Sequence, residues 1–472
     1  MKKKVVSALL CATMVATMFA GCGSKNDSNT SDKNTGDTSA AEDTADAASS
    51  NLSDDGKVLN IYCWNEEFKS RITAHYPDYQ EVDATHGKIG DVDVVWNITP
   101  NDDNAYQNNL DATLLNQADA PADDKIDLFL VEADYALKYV DTDYTVPVKD
   151  LGITDDDLSK QYQYTKDIVT DSKGVLKGLS WQGCPGVLFY NRDAAKEVLG
   201  TDDPDKVQES VKDWDTYNDT AKKMKDAGYK MTASANDTYR VYSNNVTSKW
   251  VDGNKINIDD NIMKWVDDSK AQVDAGETGT CDLWSDDWSK GFYPQGKVFC
   301  YFGPAWLVNF SMAADTEGSI GYNGGWGAAQ GPQGFFWGGT WICAAQGTDN
   351  ANLVKDIMLK MTTDDDIMKD IVVDDDDFVN NSTVMNGLAD GSIKVKDDKE
   401  YTSKILGGQN PLPMYCAGVE TLDLSNLSSY DQGCNEEFQN AMKNYFEGKA
   451  SKEDALDLFY KAVTEKYPEL TY

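Results

Sequence analysis

Aromatic side chains next to carboxamides and carboxylates are the residues of this chain that could bind a small molecule. The sequence contains 12 Trp and 24 Tyr, more flat aromatic surface than the core of such a chain needs. Trp64-Asn65 and Trp181-Gln182 each place an indole beside a carboxamide, and Asp134 follows an apolar segment. Aromatic rings contact the C–H face of a pyranose, while carboxamides and carboxylates hydrogen-bond its hydroxyls. We expect these five residues to contribute to a site for a flat, hydroxylated ligand.

The sequence gives little indication of a metal-binding site or of a catalytic site with a nucleophile. His75 and His86 are the only two histidines, and we expect both at the surface. The aspartate runs 155–157, 364–366 and 374–377 lack the alternating ligands and the turn glycine of an EF-hand loop. Helix caps and solvated turns explain these runs better. We therefore predict no catalytic residues, no metal and no cofactor.

Three apolar segments in the first part of the chain predict strands that position the site. They are residues 58–64, 91–99 and 126–131, and segments with helical spacing, 65–76 and one around Leu110, lie between them. This β-α-β-α-β order predicts a parallel sheet with right-handed crossovers.

Ligands of a parallel sheet bind beyond the carboxyl ends of its strands. Trp64, Asn65, Glu132 and Asp134 all fall at such ends, which predicts that they face one cleft. The glycine-rich stretch 318–347 is typical of loops or bends around a cleft rather than of helix interiors.

The second half of the chain alternates in the same way, with longer predicted helices. Asp213 is a predicted N-cap, and Ser451 with Asp454 forms a capping-box-like arrangement before the last helix. By helical spacing, Trp214 and Trp265 face the core. The folded part, about 415 residues, exceeds what one compact core usually holds, so we expect two lobes.

The N-terminal segment predicts export. Three lysines precede the apolar stretch 5–19, which is too short to span a bilayer. The following Phe19-Ala20-Gly21-Cys22 resembles a bacterial lipobox, in which the signal is cut before the cysteine and its thiol carries diacylglycerol, although Phe19 stands where leucine is usual. We predict a signal peptide over 1–21, lipid attachment at Cys22, and a disordered polar tether over 22–56. An ordinary secretory signal is the alternative.

Charge and cysteine content exclude several classes of protein. The formal net charge of −37 argues against nucleic acid as a partner and favours a neutral or cationic ligand. Seven of the nine cysteines follow Cys22, so at least one thiol stays unpaired, and no CxxC spacing supports a redox or zinc-ribbon site.

Four segments resemble the family 1 extracellular solute-binding proteins, the maltose-binding-protein-like sugar-binding lipoproteins of ABC importers. They are residues 125–136, 180–193, 296–306 and 337–366. The third, GKVFCYFGPAW, is the most specific, because it matches a Gly-Lys-small-small-Met-x-x-x-Gly-x-Trp pattern whose tryptophan lies against the sugar. Val-Phe-Cys stands here in place of the usual Ala-Ala-Met.

The resemblance implies an α/β, two-lobed periplasmic-binding-protein-like fold of type II, each lobe a mostly parallel sheet flanked by helices. Lobe 1 would comprise 57–178 plus 331–396, and lobe 2 would comprise 179–330 plus 397–472. Ligand binding would close the hinge between the lobes, and the closed form would engage the permease subunits of the importer.

The resemblance also adds ligand-binding candidates. Trp306 comes from the Gly-x-Trp pattern, Trp337 and Trp341 from the Gly-Gly segment, and Tyr239 from a loop like one in the second lobe of the family. Trp284 and Trp288 fit either the rim of the cleft or a helix cap. The expected protein is a monomer on the outer face of the cytoplasmic membrane that captures an oligosaccharide and delivers it to the importer.

Two other classes stay open from the sequence. A secreted glycoside hydrolase also needs tryptophans and a carboxylate pair, and 80 acidic residues supply many such pairs. The same fold could instead bind a peptide or polyamine, which the acidic charge favours. Xylo-, manno- and malto-oligosaccharides all fit the predicted site.

Overall fold

The computed structural model describes residues 52–472. The predicted signal peptide, Cys22 and most of the predicted tether lie outside these residues. The strands of the described part are β1 (Val58–Cys63), β2 (Tyr79–Glu81), β3 (His86–Ile89), β4 (Val92–Ile98), β5 (Leu128–Glu132), β6 (Leu179–Ser180), β7 (Pro185–Asn191), β8 (Val251–Asp252), β9 (Lys255–Ile256), β10 (Cys300–Gly303), β11 (Trp326–Ala329), β12 (Phe335–Phe336) and β13 (Thr340–Ala344).

The helices connect and cover two main sheets. They are α1 (Glu67–His75), α2 (Ala105–Leu115), α3 (Ala136–Val140), α4 (Gln163–Asp167), α5 (Arg192–Leu199), α6 (Pro204–Glu209), α7 (Trp214–Asp226), α8 (Tyr239–Ser243), α9 (Asp260–Ala275), α10 (Asp286–Ser289), α11 (Ala351–Thr363), α12 (Asp365–Asp375), α13 (Ser382–Asp390), α14 (Leu412–Val419), α15 (Asp431–Phe446) and α16 (Lys452–Lys466). A short π-helical turn spans Leu307–Ser311.

The first sheet has the order β2-β3-β4-β1-β5-β13-β6. Its centre is parallel, since Ile61 of β1 pairs with Trp96 of β4 on one side and with Leu128 of β5 on the other. This confirms the predicted β-α-β-α-β unit, and α1 and α2 are its crossover helices. Strands that are buried on both faces consist of nearly continuous apolar residues, so the apolar runs of the sequence predict β1 and β5.

Antiparallel strands complete the first sheet at both sides. A short hairpin, β2 with β3, extends it beyond β4. On the other side β13 pairs antiparallel with β5 and with β6. Because β13 enters from more than 200 residues later in the chain, local sequence patterns do not reveal that pairing.

The second sheet differs from the expected parallel arrangement. Its central strand β7 is fully buried and is flanked by β10 and β11, both antiparallel to it, with β12 as a further antiparallel partner. A parallel contact also exists, but it is short: Lys230 forms an isolated bridge with Val298, and residues 230–231 and 297–300 share backbone hydrogen bonds. The alternation of strands and helices in the sequence does not encode strand direction.

The chain passes between the two sheets in three places. Residues 181–184 lead from β6 to β7, residues 337–339 lead from β12 back to β13, and residues 376–381 lead from α12 to α13 and on to α14, which packs on β7. Strand β12 pairs with the second sheet, although the predicted lobe range 331–396 assigned it to the first.

Helix caps in the second half follow the sequence signals. Asp213 caps α7 in a capping box with Thr216, and Ser451 and Asp454 form another at the start of α16. Trp265 of α9 is fully buried in a separate core with residues of α15 and α16. The opposite face of α15 is polar, and it lies toward the region between the two sheets.

Candidate ligand-binding cleft

A cavity of about 610 Å³ lies where the first sheet meets the segments of the second. On one side it is lined by residues that follow strands β1, β4, β5 and β6 and precede β13. Because β13 runs antiparallel to the parallel strands, its N-terminal end lies at their carboxyl edge. On the other side it is lined by residues from α8, α15 and the loops after β10 and β12. Such a volume suits a small-molecule ligand.

Trp64 is the aromatic residue of the first-sheet side. It follows β1 and packs edge-on against Tyr106, with ring centroids 5.6 Å apart, and against Tyr135 at 6.2 Å. The next residue, Asn65, accepts a hydrogen bond from the backbone of Glu67 at 3.0 Å, which fixes the start of α1. The indole is held in place and remains partly exposed to the cavity.

Three tryptophans form a cluster on the opposite side, which we call the tryptophan cluster: Trp284, Trp306 and Trp337. The ring centroids of Trp306 and Trp337 are 5.3 Å apart and those of Trp284 and Trp306 are 6.2 Å apart. The indole N–H of Trp306 donates to the backbone carbonyl of Trp337 at 3.3 Å. Each ring therefore limits the rotation of its neighbours, and the cluster presents a preformed aromatic surface.

Trp284 is the most unusual member of the cluster. Its side chain is 54% exposed, and its backbone has a φ of 68°, a left-handed conformation that bulky residues rarely adopt. Phe310 at the same cavity is 56% exposed. Strained backbone and exposed apolar surface both concentrate at binding sites. The rim of the cleft thus offers aromatic surface that the fold itself does not bury.

A glycine pair allows the chain to pass beneath the tryptophan cluster. Gly338 and Gly339 have φ values of 69° and 102°. A Cβ on Gly338 would lie 3.1 Å from the Trp306 ring and 3.5 Å from Oε1 of Glu132. These positions need glycine for both backbone conformation and space.

An ion pair joins the two sides of the cleft. Arg240 of α8 donates to both carboxylate oxygens of Asp134, and the Nη1–Oδ1 distance is 2.8 Å. Glu132, two residues before Asp134, accepts from the Asp134 backbone at 2.8 Å through Oε2. Burial, and then the charge of Asp134, raise the pKa of Glu132 well above its usual range, and Arg240 offsets this only in part.

Gln182 links the three segments that pass between the sheets. Its Nε2 donates to Glu67 at 2.9 Å and to Asp377 at 3.0 Å, and its Oε1 accepts from the backbone of Thr340 at 3.1 Å. Burial raises the pKa of Glu67 to about 7, although Arg71 lowers it. The amide lines the cleft with its hydrogen-bonding capacity already used within the protein.

Comparison with known proteins gives the family. Residues 90–402, more than half of the chain, match the family described as bacterial extracellular solute-binding protein. The chain belongs to this family. No curated protein sequence is significantly similar to this solute-binding protein.

Solved structures show the same fold. A family 1 extracellular solute-binding protein superposes with a TM-score of 0.67 at 17% identity, covering 86% of this chain and 99% of that one. The ABC transporter associated binding protein of B. animalis subsp. lactis Bl-04, in complex with beta-1,6-galactobiose, gives 0.65 at 19% identity, covering 88% and 99%. Maltose-bound MalE3 of T. maritima gives 0.60 at 12%, covering 87% and 99%. This solute-binding protein is thus two-lobed and MalE-like in fold.

The structure brings six of the nine predicted binding residues to the cleft. They are Trp64, Asn65, Asp134, Gln182, Trp306 and Trp337. No helix of residues 52–472 is long and apolar enough to cross a membrane.

The other three predicted residues lie in the core and do not line the cleft. Trp181 stacks on Phe68 at 5.2 Å. Trp341 sits within β13, where its neighbour Thr340 faces the cleft, because successive side chains of a strand point to opposite faces. The hydroxyl of Tyr239 donates to Asn435 at 2.6 Å inside the core, while the next residue of α8, Arg240, reaches the cleft.

Other cleft residues were not predicted from the sequence. Trp284 and Trp288 were each expected at the cleft rim or in a helix cap. Trp284 lines the cleft, whereas Trp288 is buried and its indole N–H donates to Asp237 at 2.7 Å. On α15 the residues Gln432, Glu436 and Gln439 line the cavity. Their spacing puts three polar side chains on one helix face, a signal that could have been read as a cleft-facing stripe.

The expectation that both histidines lie at the surface is wrong for His75. Its side chain is 4% exposed, and Nε2 lies 3.0 Å from Asp375. The end of α1 packs against α12, which the local sequence does not show. His86 is exposed, as expected.

Proposed function

We propose that the chain is the carbohydrate-binding component of an ABC importer and captures an oligosaccharide in the cleft between its two sheets. The observation that carries the proposal is that Trp64 and the tryptophan cluster line opposite sides of one cavity whose remaining lining is rich in carboxamides and carboxylates. Indoles bind the apolar faces of sugar rings and the polar groups bind the hydroxyls. The sugars bound by the structural relatives support the same ligand class.

More than one sugar ring fits this arrangement. The tryptophan cluster, Trp64 and the exposed Phe310 provide separate aromatic surfaces around a cavity of about 610 Å³. Each aromatic surface that faces a different part of the cavity adds a subsite. We therefore propose an oligosaccharide rather than a monosaccharide as the ligand.

Binding without hydrolysis is part of the proposal. A glycoside hydrolase needs two carboxyl groups free to act on the scissile bond. Here Asp134 is held by both of its oxygens on Arg240, and Glu67 accepts from Gln182. Asp134 and Glu67 are thus committed to contacts within the protein, and we propose that the other acidic residues of the cleft accept hydrogen bonds from hydroxyls.

The lipobox-like sequence around Cys22 supports a lipid-anchored protein. We propose that diacylglycerol on Cys22 holds the protein, as a monomer, on the outer face of the cytoplasmic membrane. There the permease subunits of the importer would receive the ligand from the closed form.

Calorimetry on the chain beginning at Gly23 tests the function. We expect binding to at least one member of a panel of xylo-, manno- and malto-oligosaccharides, with a change in tryptophan fluorescence. Chromatography of the same samples should show the saccharides unchanged. Turnover of any of them would overturn the binding-only role, and spermidine or a peptide library bound in preference to every saccharide would overturn the ligand class.

A further inference from the structure

The charges that line the cleft are unbalanced. Among residues 52–472, five acidic residues line the cavity: Glu67, Asp102, Glu132, Asp134 and Glu436. The one cationic side chain in that lining is Arg240. A ligand with a negative charge therefore has a single potential partner on the walls of the cavity.

That partner is already engaged. The guanidinium of Arg240 donates to both oxygens of Asp134, the fork geometry that Arg uses to bind a carboxylate or phosphate. The side chains of Arg240 and Asp134 are only 18% and 24% exposed, which strengthens their attraction compared with a surface pair. Asp134 thus occupies the position on Arg240 that the carboxylate of an acidic ligand would take.

This part of the cleft destabilises a negative charge, as the pKa of Glu132 indicates. Burial raises the pKa of its carboxyl, the Asp134 carboxylate raises it further, and Arg240 offsets this rise only in part. A Cβ on Gly338 would touch both Oε1 of Glu132 and the Trp306 ring, so this carboxyl lies beside the tryptophan cluster. The carboxylate of a bound sugar acid would experience the same desolvation and the same repulsion.

We propose that the cleft selects neutral and amino saccharides over acidic ones, and that Asp134 sets this selectivity by occupying Arg240. The inference rests on the proposed carbohydrate function and specifies the ligand class further. It assigns Asp134 a role distinct from contacting a hydroxyl: the residue removes a ready-made acid-binding group from the site.

An array of matched disaccharides tests the inference on the chain beginning at Gly23. Each glucose, mannose or galactose disaccharide is presented in a neutral form, a uronic acid form and a 2-amino form. We expect the tightest binder to be neutral or amino, with its acidic counterpart bound at least about tenfold more weakly. Raising the ionic strength should narrow that gap, because salt screens repulsion.

Two double variants separate the role of Arg240 from total charge. Asp134→Asn with Glu132→Gln removes the carboxylates that act on Arg240, and should raise the ratio of acidic to neutral affinity by about tenfold. Asp102→Asn with Glu436→Gln also removes two carboxyl groups from the cavity lining and leaves the Asp134–Arg240 pair in place, so the ratio should change much less. The ratio is used because both affinities respond equally to a change in hinge closure.

The outcomes distinguish the two proposals. An acidic saccharide that binds the unmodified protein as tightly as its neutral counterpart overturns the inference and leaves the carbohydrate function standing. Equal ratios in the two double variants overturn the role of Asp134. Absence of binding to every saccharide on the array overturns the proposed function itself.

Discussion

The two sides of the cleft are built in different ways. The first-sheet side consists of strand ends over a network in which Glu67, Gln182 and Asp377 satisfy one another inside the protein. The opposite side is the tryptophan cluster, set on loops, with Trp284 more than half exposed. Buried, satisfied polar groups fix a geometry, whereas exposed aromatic surface is stabilised only when something covers it. Substitutions of the buried residues on the first side should therefore mainly change stability, and substitutions in the tryptophan cluster should mainly change affinity.

Replacing Trp341 by alanine is expected to have the largest effect. The indole is fully buried behind the first-sheet side, and its N–H donates to the backbone carbonyl of Thr165 at 2.8 Å. The loss of packing and the cavity left behind should lower the free energy of unfolding by about 3–5 kcal/mol. Chemical denaturation followed by circular dichroism measures this loss. Trp341→Phe is the control and should lose less, since it keeps most of the apolar volume.

If the Trp341→Ala protein had nearly unchanged stability but strongly reduced saccharide affinity, the claim that buried residues of the first side act mainly on stability would be wrong. That result would return Trp341 to the set of ligand-binding residues expected from the sequence.

The first-sheet side is largely predictable from apolar runs and strand order, whereas the opposite side is predicted only in part, through the family resemblance. Apolar runs mark β1 and β5, and parallel strand order then places Trp64 and Asp134 at one edge. Trp306 and Trp337 were found through family-like segments rather than through periodicity. Such resemblance identifies a segment without giving the direction of each side chain, which is why it predicts Trp341 as a ligand contact although that side chain is buried in the core.

The missed residues depend on long-range packing. Arg240 and Glu436 enter the cleft because α8 and α15 pack near the turn after β5, and no local pattern specifies those contacts. Asp134 was expected to contact the ligand from its position alone, whereas its partner Arg240 is 106 residues away in the chain. The local sequence pattern predicts which residues lie at strand ends, but it does not predict ion pairs across a cleft.

Trp306→Ala is the matching test on the tryptophan side and should have an intermediate effect. Its ring packs on Trp337 at 5.3 Å and is only partly buried. Removing it should weaken saccharide binding by about 10–100-fold, or about 1.4–2.8 kcal/mol, because a stacking surface is lost. Calorimetry with the best saccharide of the panel measures the affinity. Trp306→Phe should retain part of it, and a loss of stability as large as that of Trp341→Ala would place Trp306 in the core instead.

The smallest expected effect is the pH dependence that Glu67 gives to stability on the first-sheet side. Burial raises its pKa from 4.5 to about 7. Between these values the folded protein holds a proton that the unfolded chain has lost, so the free energy of unfolding falls as pH rises through this window and levels off above it. Glu67→Gln keeps an acceptor for Gln182 and cannot titrate, so it should flatten the curve between about pH 4.5 and 7. The adjacent exposed Glu66→Gln is the matched control and should follow the unmodified protein. Denaturation curves across this pH range measure the difference, and identical slopes for the two variants would show that the network does not hold Glu67 in the protonated form.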